Sequence, residues 1–138
     1  MVDTDPAADA ASPHELFETG CRFLQERHPG QAALYLERAL AFEPDKSSIH
    51  EALGQAYYAL GEYEKAAAAF TMVVRLYPTN DYAHFARSRA LLAIDRSIEA
   101  LAAARLAAAM VPGNDDYQSA VRDCLGAVEK EQGARAGD

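Results

Sequence analysis

The sequence predicts an all-α solenoid of helix–turn–helix hairpins, and three observations carry that prediction. First, Pro44, Pro78 and Pro112 stand 34 residues apart. A period of that length marks stacked two-helix units rather than a single irregular core. Second, when each unit is numbered so that its proline is residue 32 of 34, the units begin at Pro13, Ser47 and Asp81, and residue size repeats with them. Position 8 holds Gly20, Gly54 and Ser88; position 20 holds Ala32, Ala66 and Ala100; position 27 holds Ala39, Val73 and Ala107. Position 11 is large and apolar (Phe23, Tyr57, Leu91), and position 24 holds Leu36, Phe70 and Ala104. Small residues let two helix backbones approach while larger ones fill the layers on either side. Position 20 is expected to face position 8 where the helices cross. Third, helix start and stop signals fall where the period requires them.

Those signals set the elements in order. Ser12-Pro13-His14-Glu15 offers a capping serine, a proline at the first helical position and a glutamate three residues after the cap. The first helix is therefore predicted from Pro13 to about Arg27, where His28-Pro29-Gly30 breaks it. Its partner spans about Gln31 to Phe42, ending before Pro44. The second pair covers about Ser47 to Leu60 and Glu62 to Tyr77, divided by Gly61 as a C-terminal cap. The third covers about Asp81 to Ala93 and Arg96 to Met110, with Asn80 or Asp81 capping one helix and Asp95 the other. After the Pro112-Gly113-Asn114 turn, a seventh helix is expected from about Asp115 to Glu131. Tyr117, Ala120, Val121, Cys124, Leu125 and Val128 lie at one-face spacing on it, as a helix closing the open end of a stack requires. The terminal segments, 1–11 and 132–138, have too little apolar content to pack and are expected to be mobile.

These features together resemble the tetratricopeptide repeat family. The middle unit carries the likeness best: Leu53, Gly54, Tyr57, Ala66, Phe70 and Pro78, with Leu60-Gly61-Glu62-Tyr63 at the turn. In the first unit Thr19 replaces the usual Leu. In the third, Arg87-Ser88 replaces Leu-Gly and Ala104 replaces the aromatic residue. The family's Trp at position 4 is replaced throughout, by Leu16, His50 and His84. The resemblance spans 13–112 and implies a right-handed α-solenoid with repeats at about 13–46, 47–80 and 81–114 and a capping helix at about 115–131.

Composition bounds the function. The chain has 138 residues, enough for one domain, and no apolar run approaches the ~20 residues that span a bilayer. The stretch 1–11 has neither the basic nor the apolar region of a secretory signal, so the cytoplasm is the expected compartment. Two cysteines, Cys21 and Cys124, are read as reduced, partly buried thiols rather than a disulfide. The formal net charge of −8 repels phosphate backbones and anionic lipid surfaces. Neither nucleic acid nor membrane is an expected partner, and a basic protein partner is permitted.

No cofactor or catalytic signature is present: no phosphate-cradling glycine loop, no His-Glu-x-x-His, no Cys-x-x-Cys and no nucleophile elbow. The expected function is non-enzymatic, without cofactor or metal. Asn114-Asp115-Asp116 lacks the alternating oxygens of a calcium loop and suits a helix cap. His50 and His84 share position 4 of successive units and raise the idea of a paired metal site. Packing between helices accounts for them better, because no third ligand is in sight beyond Glu51.

The resemblance also implies where a partner would bind. The first helix of each hairpin lines a concave face, onto which positions 2, 5, 9 and 12 or 13 point. These positions hold His14, Phe17, Cys21 and Leu24, then Glu51, Gln55, Tyr58 and Ala59, then Tyr82, Phe85, Arg89 and Leu92. The expected groove residues are Phe17, Cys21, Glu51, Gln55, Tyr58, Tyr82, Phe85 and Arg89, an aromatic set with one cation. The Lys/Asn/Arg clamp with which one branch of the family holds acidic chaperone tails is missing, since its positions carry Phe17, Cys21, Gln55, Tyr82 and Ala86. The expected role is that of an adaptor holding a peptide or helix of another protein. Two alternatives stand beside it. One is a homo-oligomer, such as a homodimer, formed through Tyr117, Val121 and Leu125. The other is a secretion-type chaperone holding an extended apolar segment.

Overall fold

The computed structural model describes residues 11–137, and every regular element in them is an α-helix. In chain order these are α1 (Pro13–Gln25), α2 (Pro29–Phe42), α3 (Ser47–Ala59), α4 (Tyr63–Leu76), α5 (Asp81–Ala93), α6 (Ser97–Met110) and α7 (Asp115–Ala136). Three antiparallel hairpins, α1/α2, α3/α4 and α5/α6, stack side by side, and α7 closes the stack against α6 and α5. The predicted all-α repeat architecture is the one observed.

Side-chain caps set three of the seven helix starts. Ser12 Oγ accepts from the Glu15 amide at 3.2 Å, Asn80 Oδ1 from Ala83 at 3.0 Å and Asn114 Oδ1 from Tyr117 at 3.1 Å. Each satisfies an amide left without an intrahelical partner in the first turn. The equivalent place before α3 is Lys46, which supplies no side-chain bond. α1 stops at Gln25, ahead of His28-Pro29-Gly30, and Pro29 opens α2 before the expected Gln31, because its fixed φ suits the first helical position.

The three hairpin turns are one structure repeated at the period of the sequence. Arg27, Gly61 and Asp95 have φ of 63°, 77° and 61°. The amide after each reaches back to Phe23, Tyr57 or Leu91 at 2.8–3.0 Å, closing the helix end. Asp95 is thus not the expected cap of α6. It is the left-handed residue of the turn, and α6 starts behind Arg96 with no side-chain cap. Aspartate serves either role, since its short polar side chain tolerates left-handed backbone.

The helix crossings show which residues fill the space at position 8. A Cβ on Gly20 would stand 2.6 Å from Leu36, and a Cβ on Gly54 would stand 2.6 Å from the Phe70 ring. The space at position 8 is therefore filled chiefly by the side chain at position 24, and in the first hairpin position 20 faces it as well, with the Ala32 carbonyl 3.3 Å from the same point. The third hairpin trades the two sizes: Ser88 stands where the others have glycine, and Ala104 where they have Leu36 or Phe70. Ser88 is buried, and its hydroxyl donates to the Phe85 carbonyl at 2.6 Å, so the extra polar atom is satisfied.

At the C-terminus α7 runs on to Ala136, so the expected mobile tail at 132–138 is helical as far as that residue. Ser97, buried at the start of α6, donates to Glu131 at 2.6 Å and ties the second half of α7 to the stack. Of the N-terminal segment only Ala11 is described, and it packs against the first hairpin. The rest of that expectation lies outside the described residues.

Candidate partner-binding cleft

The inner helices do not stack uniformly. A cleft of about 190 Å³ opens between α3 and α5. Gln55 and Tyr58 line it from α3, Tyr82, Phe85 and Arg89 from α5, and the buried ring of Phe70 from α4 closes its floor. Helical spacing produces the α5 wall, because residues three and four apart share a face. The rings form a connected set: Tyr82 lies 6.3 Å from both Phe70 and Phe85. Gln55 Nε2 bridges the mouth to the Tyr82 hydroxyl at 3.4 Å.

Arg89 divides this cleft from a second one. Its guanidinium carbon lies 4.9 Å from the Tyr58 ring and 5.7 Å from Phe85, stacked on both. It forms no ion pair among the described residues. Beyond it a wider cleft of about 440 Å³ runs between α5 and α7, where Asp116 and Asp123 face it alongside Leu92. Tyr58, Phe85 and Arg89 wall both compartments, so the inner face offers an apolar slot joined to an acidic one.

Five of the expected groove residues, Gln55, Tyr58, Tyr82, Phe85 and Arg89, meet at the first cleft. Three do not. Phe17 and Cys21 are half-buried and pack into the core of the first hairpin. Burial raises the Cys21 thiol above its ordinary range, which leaves it a poor nucleophile. Glu51 accepts from Asn80 Nδ2 at 3.0 Å, tying α3 to the capping residue of α5. Phe70 was legible only as a core residue, because nothing in its spacing distinguishes a ring that also floors a cleft.

The candidate metal and oligomer residues are engaged inside the chain. His50 Nε2 lies 2.7 Å from the Pro44 carbonyl and His84 Nε2 lies 2.8 Å from that of Pro78. Gln118 Nε2 donates to Pro112 at 3.0 Å from the same position of the next unit. These side chains satisfy the carbonyls of the repeating prolines, and no cluster of three metal-ligating residues occurs among the described residues. Tyr117 is buried, with its ring 5.0 Å from Phe85 and its hydroxyl donating to Asp81 at 2.6 Å. Val121 and Leu125 pack against the core beside it. The expected oligomer surface on α7 is thus largely spent within the chain.

Paired helices stacked at a fixed period, with a cleft on the inner face, define an α-solenoid repeat protein. The tetratricopeptide repeat model matches residues 17–81, and the third hairpin continues in the same phase. The matched segment identifies a tetratricopeptide repeat region, and the chain as a whole has the fold of tetratricopeptide repeat domains. Among solved structures, the first such domain of Spaghetti (RPAP3), bound to the HSP90 peptide SRMEEVD, superposes with a TM-score of 0.80 at 18% identity, covering 85% of this chain and 93% of that one. A MamA D159K mutant gives 0.82 at 22% identity, covering 95% of this chain and 75% of that one. The second domain of human RPAP3, in complex with the HSP70 peptide SGPTIEEVD, gives 0.76 at 19% identity, covering 83% and 98%. None of the curated proteins matches the sequence. Among the described residues, no helix is long and apolar enough to cross a membrane.

Proposed function

We propose that this protein is a non-enzymatic adaptor of the cytoplasm that holds a segment of another protein along its inner face. The observation that carries this reading is the stacking of Arg89 on Tyr58 and Phe85 at the junction of two clefts, with no carboxylate of its own. Exposed aromatic and Arg groups are the usual anchors of protein recognition, since they bury much area at low entropic cost. The solved relatives with bound peptides support the same class of function. The chemistry of the groove differs from capture of an acidic tail, because Arg89 is the single cation among its named residues and Asp116 and Asp123 stand beyond it. The fitting segment carries an apolar side chain for the slot between α3 and α5 and a Lys or Arg for the acidic compartment.

The test begins with the partner captured by cross-linking in the native cell and its segment mapped. A binding isotherm is then measured for the Y58A/Y82A/R89A protein beside its thermal melt. Truncated anchors commonly cost about 2 kcal/mol each, so binding should fall at least ~100-fold while helical content is kept. An unfolded triple mutant would make these residues core. A folded one that binds at full affinity would move recognition off the inner face.

A further inference from the structure

Arg87 and Arg89 lie two places apart on α5 and so point to opposite sides of it, about 200° apart around the helix axis. Arg89 serves the inner clefts. Arg87 lines a groove of about 560 Å³ on the outer face, bounded by α4 and the start of α6. The buried Ala67 and Leu91 lie at its base, with Met72 beside them. Arg87 is half-buried, and it stands where the second hairpin has Leu53. A charged side chain rarely accepts burial without a partner. Here Nε donates to Thr71 Oγ1 at 2.9 Å, and Thr71 in turn donates to the Ala67 carbonyl at 2.7 Å, which holds the guanidinium in one orientation. That bond uses one of the five N–H donors of an arginine. Among the described residues, neither Nη group has an acceptor and no carboxylate pairs with Arg87. Arg75 lines the same groove one turn beyond Thr71, and it too forms no ion pair among the described residues.

The same place one repeat earlier shows what is missing. Glu37, Leu53 and Tyr57 stand there in the positions of Thr71, Arg87 and Leu91. The Tyr57 hydroxyl donates to the Glu37 carboxylate at 2.7 Å, so donor and carboxylate both come from the chain. In the later groove the ring and the carboxylate are gone and a guanidinium has been added. The chain's own carboxylates line the other end: Glu64 and Glu99 sit in the first turns of α4 and α6, whereas Arg75 sits in the last turn of α4. Glu64 is moreover paired with Arg96 at 3.6 Å. We infer that this outer groove is a second recognition site, in which Arg87 and Arg75 hold the carboxylate side chains of an acidic segment of another protein while its apolar neighbours rest on Met72 and Leu91. Guanidinium and carboxylate fit edge to edge through paired N–H donors. A nucleic acid or an anionic membrane fits poorly, since the chain carries a formal charge of −8 and Glu64 and Glu99 stand within the groove itself. The site lies on the side opposite the partner cleft and stands independently of the proposed groove function.

The probe is the capped tetrapeptide Leu-Glu-Glu-Leu, titrated from ~0.1 to ~10 mM into the isotopically labelled full chain, a range that spans the weak affinity of so short a ligand. Nuclear magnetic resonance follows the Arg87 Nε–H, the Thr71 amide and the Met72 methyl group on the outer face, with the Tyr82 signals reporting the inner cleft. The three outer signals should move and saturate together while those of Tyr82 stay. The capped Leu-Gln-Gln-Leu peptide, equal in shape but without charge, should bind at least ~10-fold more weakly, as should Leu-Glu-Glu-Leu to Arg87→Leu. That variant writes the residue of the second hairpin into the third, so its melting curve should show the fold kept. Arg75→Gln should weaken binding by ~3-fold or more. Outer signals that do not move by ~10 mM overturn the inference, as does equal binding of the uncharged peptide or binding that survives Arg87→Leu. Inorganic phosphate that moves the same signals at the same concentrations would overturn the assignment to a peptide carboxylate and leave a general anion site.

Discussion

The second and third hairpins solve one packing problem in opposite ways. The second leaves the inner helix bare at Gly54 and fills the crossing with Phe70 from the outer helix. The third places a hydroxymethyl group on the inner helix at Ser88 and leaves only a methyl at Ala104. The difference reaches the site. Because the bulk of the second hairpin comes from outside, the Phe70 ring extends under the inner face and floors the cleft. Because the third hairpin has no such ring, its inner face is completed by α7, with Tyr117 stacked on Phe85. The size pattern that looks degenerate in the third repeat is therefore a compensated exchange, and the asymmetry it creates gives one cleft an apolar floor and the other an acidic wall.

The sharpest way to break this account is to write the third crossing into the second. Gly54→Ser alone forces the Phe70 ring aside and should cost about 1–3 kcal/mol. Phe70→Ala alone empties the crossing and should cost about 3–5 kcal/mol. The double variant reproduces the Ser/Ala combination of the third hairpin, so its loss should fall short of the sum by at least about 1 kcal/mol. Urea unfolding of the four proteins measures this coupling. Strict additivity would mean that the two positions do not share the crossing and that the exchange in the third hairpin is incidental.

A smaller effect tests how the third hairpin borrows from α7. The Tyr117 hydroxyl is pushed up to about 12, first by burial and then by its hydrogen bond to the Asp81 carboxylate. The folded protein thus holds this proton more tightly than the unfolded chain, whose tyrosines titrate near ~10. Stability from this group is complete below about pH 10 and drains away as pH rises toward about 12. Tyr57 is raised in the same direction by burial and by Glu37, so some decline belongs to the second hairpin. Melting temperatures of wild type and Tyr117→Phe between pH 8 and 12 separate the two, and the variant should lose less with rising pH. Parallel curves would show that the contact between α5 and α7 contributes no proton linkage.

How much of this was legible beforehand follows from which interactions are periodic. The prolines, the small residues and the caps at Ser12, Asn80 and Asn114 repeat along the chain, and they delivered the helices in order. Gln55, Tyr58, Tyr82, Phe85 and Arg89 were placed together because a family position fixes the direction of a side chain on the inner helix. Position does not fix what closes over that side chain. Phe17 and Cys21 share their positions with groove residues yet sink into the first hairpin. The hydrogen bonds from His50, His84 and Gln118 to the proline carbonyls did leave a signal, since all three occupy position 4 and all can donate. The length of α7 left none, because the bond that holds it, Ser97 to Glu131, joins residues with no shared pattern.

The smallest effects come from the turns, where the comparison between hairpins is cleanest because the backbone is the same and only the residue differs. Gly61 adopts φ of 77° at little cost, whereas Arg27 and Asp95 hold left-handed backbone with a Cβ in place. That conformation costs an ordinary residue roughly 1–2 kcal/mol, and aspartate less, because its side chain bonds locally. Arg27→Gly should therefore stabilise the protein by up to about 1 kcal/mol after the added entropy of the unfolded chain is subtracted, and Asp95→Gly should gain less. Gly61→Asp should lose stability, bringing the second turn down to the state of the third. The three midpoints in urea give the order directly. A gain at Asp95 equal to that at Arg27 would show that the Asp95 carboxylate does nothing for its turn. A loss at Arg27 would show that the arginine side chain holds the first hairpin by contacts that outweigh its backbone strain.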